Sequence, residues 1–268
     1  MSAAAKAEAI HSLRRQLLAS QRMQTVQQIL PTGLTSLDAI LPHGGLPAGS
    51  LIEWISEDAG LKAASIALKS IVPMMTLHGC LAIVDEHHEF YADSARSHGI
   101  PLSRMLLIRP VYAASGVQAA FGLAQATTSR SRFVRQASAA HSDALWALEQ
   151  TARCPGVRVV LMFLEQASSA VMRRLQLAVE RSGVTIVLIR PASILNQPSF
   201  ADLRLYVTTV KPALAGITER RQLKVQLLRS RHGLQHTGHA LLEVEHETGA
   251  VHSISELADS KPATSPAF

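Results

Sequence analysis

The sequence predicts an α/β protein: a doubly wound, mainly parallel central sheet covered by helices, with an antiparallel extension at its C-terminal end. Three observations predict it. Strand-length apolar runs alternate with segments of helical period between about residues 51 and 190. Two of those runs, 157–164 and 184–189, are almost continuously apolar, as suits a strand buried on both faces. After Pro191 the helical periods stop, and 203–210, 223–228 and 240–245 read as β-rich runs joined by turns at 211–218 and 233–238.

Each element has its own signal. Residues 4–30 are expected to form a helix, with Ile10, Leu13, Leu17, Leu18 and Val26 as a partial stripe and Pro31 as its stop. That helix packs either on its own domain or on a partner protomer, so residues 1–29 are set apart as an association segment. Ser36 or Thr35 can cap a short helix carrying Leu37, Ile40 and Leu41, and 44–50 is a turn cluster. Leu51 to Ile55 is a strand, 56–61 a loop, and Lys62 to Leu77 a helix. A strand over 79–85 is followed by the polar loop Glu86-His87-His88-Glu89, a helix over 90–98 and a short strand over 105–108. Residues 113–140, rich in Ala, Ser and Gln, read as an insertion made of a helix and a mobile loop. A helix over 143–151 precedes the 157–164 strand. Ser168 or Ser169 caps a helix that runs to Arg181 and stops at Gly183. The core is thus placed at 30–257, and 258–268 is expected to be disordered.

Composition bounds the function classes. The 268 residues are 47% hydrophobic and 17% charged, ordinary for a folded domain with a sizeable core. No apolar run reaches the roughly 18–20 residues that span a bilayer, and the N-terminus lacks a signal-peptide core, so a cytoplasmic location without membrane contact is expected. Cys80 and Cys154 lack metal-ligand spacing and are expected to be buried free thiols. The net charge of +6 permits contact with nucleic acid, although aromatics at 4% leave few stacking faces. The densest basic run, Arg220, Arg221, Lys224, Arg229, Arg231, is either a solvated strand edge or a patch for DNA or a partner.

The strand–loop–helix at 51–77 stands where a phosphate loop would be. Such a loop reads G-x-x-x-x-G-K-[ST]: glycines let backbone N–H groups wrap the phosphates, lysine neutralises them, and a hydroxyl holds Mg²⁺. Here the loop is Ser56-Glu57-Asp58-Ala59-Gly60-Leu61-Lys62-Ala63. Ser56 replaces the first glycine, Leu61 the second, and Ala63 the hydroxyl, while Lys62 remains and Gly60 is the loop's one glycine. Glu57 and Asp58 add negative charge that would cost on the order of 1 kcal/mol per like-charge contact. These features predict a degenerate loop, no ATPase activity, no catalytic residue and no cofactor. Glu165 is read as a solvent-facing residue. The 85–89 cluster lacks the i, i+4 placement of a helical metal pair, and no metal site is expected.

The stretch Thr32-Gly33, Leu37-Asp38, Gly44-Gly45-Leu46-Pro47, Gly49, Glu53 resembles the entry to a RecA core. Further runs are similar to the ImuA family of RecA-like proteins associated with translesion DNA synthesis: 145–150, 153–157, 173–178, Pro198-Ser199-Phe200-Ala201-Asp202-Leu203-Arg204, and 225–229. The resemblance, over about 30–255, implies a RecA-like three-layer fold, Glu86 as the remnant of the acid that orients water, and an accessory role in DNA damage tolerance and the SOS response. It implies as partners an ImuB-like Y-family polymerase homologue, an error-prone replicative-type polymerase and RecA. Two rival expectations are a SulA-like inhibitor of cell division that binds a tubulin-like protein, and a weak RecA-type ATPase using Lys62 and Glu86.

Overall fold

The computed structural model describes residues 28–57, 61–110, 130–210, 220–231, 238–245 and 248–254. The expectations for an N-terminal helix up to residue 27, for 111–129 and for the C-terminal tail lie outside the described residues.

Chain entry is built by polar side chains. Ile29–Leu30 (β1) pairs antiparallel with Leu46–Pro47 (β2), so the predicted helix does not extend to residue 30. Gly45 must be glycine there, because a Cβ would sit 2.4 Å from the Leu30 carbonyl oxygen. Between these strands, Thr35–Ile40 (α1) buries Leu37 and Ile40. Its N-cap is Leu34, without a side-chain cap, which corrects the expected capping by Ser36 or Thr35. The Ser36 hydroxyl donates instead to the Leu241 carbonyl at 3.0 Å. Asp38 does the fastening: its Oδ1 accepts from the Thr32 amide at 2.8 Å and the Thr32 hydroxyl at 2.7 Å.

The remaining elements follow in order: Leu51–Ser56 (β3), Leu61–Ile71 (α2), Cys80–Val84 (β4), Ala92–Ser97 (α3), Met105–Ile108 (β5), Arg130–Thr151 (α4), Val157–Phe163 (β6), Ser169–Ser182 (α5), Thr185–Pro191 (β7), Leu203–Thr209 (β8), Arg220–Ser230 (β9), His239–Glu245 (β10) and Val251–Ser253 (β11). α2 stops six residues before the expected Leu77, because Pro73 cannot continue an α-helix and the chain tightens into a 3₁₀ turn over Val72–Thr76. α5 starts as expected, with the Ser168 hydroxyl accepting from the Val171 amide, and ends at Gly183 in the left-handed region, φ 72°.

The large sheet has the order β11-β10-β9-β8-β3-β7-β6-β4-β5. From β8 to β5 every pair is parallel; from β8 to β11 every pair is antiparallel. The first of the β-rich runs therefore belongs to both regimes: β8 lies parallel to β3 and antiparallel to β9. The expected antiparallel extension thus starts from β8.

Two cores flank the sheet, as the alternation of side chains along each strand requires. On one face Ile52, Trp54, Leu81, Ile83, Leu161 and Val187 pack against α1 and α2. On the other, Leu51, Ala82, Val160, Met162 and Leu188 pack against α4 and α5. The fold is thus a three-layer α/β domain with a largely parallel sheet and an antiparallel C-terminal region. α4 also starts earlier than the expected residue 143: residues 130–140, expected to end in a loop, belong to this helix, and Ala140, Ala144 and Leu148 form its buried stripe at four-residue spacing. Cys154 is exposed and Cys80 half-buried, not buried as expected.

Candidate functional site

In an open parallel sheet the carboxyl ends of the strands are where ligands bind, since loops and helix N-termini converge there. The expected loop leaves the end of β3 at this edge. Ser56 is buried at the strand's last position. Asp58, Ala59, Gly60 and the side chain of Leu61 lie outside the described residues. The Glu57 carboxylate accepts the Tyr206 hydroxyl at 2.7 Å, which fastens the loop's first acid to β8. Burial, and then this bond to an anion, push the Tyr206 phenol up to about 12. The Lys62 ammonium donates to the Thr209 hydroxyl at 3.0 Å, at the end of the same strand. Ala63 is completely buried and part of the α1–α2 core. The position where a phosphate loop offers a metal-binding hydroxyl is here a packing methyl group.

Glu86 lies just past the end of β4 and is largely buried. His141 of α4 meets its carboxylate, Nδ1 to Oε2 at 2.9 Å. Beside it, the Asp85 carboxylate accepts from the Glu89 amide at 2.9 Å and from Arg109 Nε at 2.8 Å, joining the ends of β4 and β5. Both acids thus tie strand ends to neighbouring elements. Glu165, after β6, is exposed. Among the described residues no group of three or more His, Cys, Asp or Glu side chains could hold a metal ion.

The strongest electrostatic feature was not foreseen. Glu53, in the middle of β3, is completely buried. Its Oε1 accepts from Arg190 Nη1 at 2.8 Å and its Oε2 from the Ser199 hydroxyl at 2.8 Å. Arg204 Nε also lies 2.9 Å from Oε2. Ser199, Asp202 and Arg204 all come from the Pro198–Arg204 run. Asp202 in turn accepts the Leu51 amide at 2.9 Å, so this run clasps the first strand of the parallel sheet from the side. The signal in the sequence was a cluster of polar residues just before an apolar strand; their partner lies more than a hundred residues upstream.

The basic run does not converge. β9 spans eleven residues, about 33 Å at strand rise. Arg220 and Arg221 stand at one end, paired across the ladder with Glu245 and Val244, and Lys224 sits half-buried in mid-strand. At the other end Arg229 Nη1 donates to the Ser199 carbonyl at 2.6 Å, and Arg231 pairs with Glu180 at 3.2 Å and Asp202 at 3.5 Å. These arginines fasten the clasp to α5.

A strand order in which β3 and β8 meet, with β7, β6, β4 and β5 following on the other side, defines a RecA-like three-layer α/β protein. Comparison with known families agrees: the RecA N-terminal domain matches residues 12–192, and the chain belongs to that family. Protein RecA of Petrotoga mobilis is 32% identical over 84 residues, covering 31% of this chain and 23% of that protein. Protein RecA of Saccharopolyspora erythraea is 31% identical over 83 residues, 31% and 24% of the two chains, and that of Syntrophus aciditrophicus 32% over 92 residues, 34% and 26%. The chain thus spans about a quarter of the length of these curated relatives. Among the described residues no helix is long and apolar enough to cross a membrane.

Proposed function

We propose that this RecA-family chain serves DNA repair as an accessory protein of damage tolerance, working through protein contacts and not through ATP turnover. One observation carries the reading. Where a phosphate loop needs a glycine, a lysine and a metal-binding hydroxyl in a row, this chain has Leu61, a Lys62 bonded to Thr209, and an Ala63 buried in the core. A nucleotide would have to draw Lys62 from Thr209, meet the Glu57 carboxylate, and bind its metal without that oxygen. The likeness of 198–204 and the other quoted runs to the ImuA family supports the narrower form: support of error-prone translesion synthesis beside an ImuB-like polymerase homologue, an error-prone replicative-type polymerase and RecA.

The comparisons favour a second reading, since the relatives they name are RecA proteins. On that reading the chain is a weak RecA-type ATPase in which Lys62 and Glu86 act. ATP hydrolysis by the full chain, with and without single-stranded DNA, separates the two when run beside Lys62→Ala. The accessory reading expects no turnover above background and no difference between the proteins. Turnover that DNA stimulates and Lys62→Ala abolishes establishes the ATPase.

A further inference from the structure

An open pocket of about 410 Å³ lies on the outer side of the helical layer, where α5 ends beside the end of α4. Arg153, Arg174 and Arg181 line it, above Leu177 and Ala178. The Glu149 carboxylate reaches Arg174 at 2.9 Å and Arg153 at 3.8 Å. One carboxylate therefore meets two of the three guanidiniums that line this groove. Trp146 and Glu149 stand one turn apart on α4, and Arg153 follows just past the end of that helix. Trp146 has 65% of its surface exposed, whereas the chain's other tryptophan, Trp54, is completely buried. A solvent-facing indole forgoes the roughly 2–3 kcal/mol that burial of a large apolar side chain returns. Here it does so one helical turn from the carboxylate that holds Arg174.

We propose that this face docks an acidic segment of a partner protein, its carboxylates on Arg153 and Arg181 in the groove and an apolar side chain on Trp146, one helical turn before Glu149. Glu149 is the chain's own example of the contact: an arginine in this groove holds a carboxylate at hydrogen-bond distance. Tryptophan and arginine are the side chains most enriched among those that dominate protein interfaces, and arginine grips carboxylates through its planar fork. A nucleic acid fits the same groove poorly. A single strand needs successive faces for successive bases, whereas no aromatic side chain lines this groove. The proposal names the kind of partner for a protein-contact role, yet its geometry stands apart from the loop after β3. It survives a positive ATPase result, and its failure leaves the reading of that loop untouched.

Two variants of the full chain test it, Trp146→Ala and Arg181→Glu, both at exposed positions, with circular dichroism to show that they fold. The probes are a short peptide of alternating glutamate and leucine, the same peptide with lysine for glutamate, and an oligothymidylate. Binding is read by fluorescence anisotropy and by the emission of Trp146, against which Trp54 is a buried reference. The glutamate peptide is expected to shift Trp146 emission to the blue, and each variant to weaken its binding at least tenfold. The lysine peptide is expected to bind Arg181→Glu better than the parent chain. Three results overturn the proposal: a peptide that leaves Trp146 emission unchanged, affinity unaffected by Arg181→Glu, or oligothymidylate binding at this face more tightly than the peptide.

Discussion

At the scale of single residues the chain concentrates its electrostatic risk at Glu53. Removing one partner from a buried ion pair leaves the others charged and desolvated, which costs about 3–5 kcal/mol. Glu53→Ala strands two arginines at once, so urea denaturation is expected to show a loss of at least that size, with Glu53→Gln losing less because an amide still accepts from Ser199. A loss below about 1 kcal/mol would mean that water reaches this site. Tyr206 offers a second test. Its folded-state value of about 12 lies above the ordinary 10, so its contribution to stability is complete below pH 10 and is lost as the pH rises from 10 through 12. In a spectroscopic titration the last-ionising phenol should vanish in Tyr206→Phe; a curve unchanged in that range would show that the Glu57 contact is not kept in solution. The sequence showed Glu53 as one letter of a motif and gave no hint of its partners, because Arg190 is 137 positions away. Asp38 and Thr32 were legible as a motif for the opposite reason: they bond across six residues.

At the scale of elements, what was legible depended on whether a local pattern sufficed. The strand at 51–56, the paired apolar runs of β6 and β7, and the cap and stop of α5 all carry their signal in neighbouring residues, and they stand where that signal put them. Ser168→Ala tests the cap: loss of one side-chain acceptor at a helix start is expected to lower stability by about 1 kcal/mol, measured by chemical denaturation; an unchanged midpoint would show that packing of Val171 and Leu175 alone sets the helix start. The first part of α4 was hard to place because its Ala- and Ser-rich composition carries only Phe133 and Val134 as bulky apolar residues, although the spacing of Ala140, Ala144 and Leu148 marks the buried side. The direction of β8 was not legible, since alternation sets which face is buried and not which way a strand runs. β11, three residues long, offers too short a pattern to read.

At the scale of the whole molecule, the alternation of strands and helices up to about residue 190 was the legible part, and the family match ends in the same place, at residue 192. Beyond it lies the clasp of 198–204 and the antiparallel run that completes the sheet. This architecture places the ends of β3, β4 and β8 along one edge, as a nucleotide-binding protein would, and then occupies that edge with internal bonds: Lys62 with Thr209, Glu57 with Tyr206, Glu86 with His141. Whether the edge still takes a nucleotide is a thermodynamic question. Any ligand that prefers the folded state must raise the melting temperature, by the equivalent of about 2.7 kcal/mol at a hundred times its dissociation constant. The most direct test is the melting temperature of the full chain with and without millimolar Mg-ATP. The account predicts no change; a rise that requires magnesium and disappears in Lys62→Ala would contradict it.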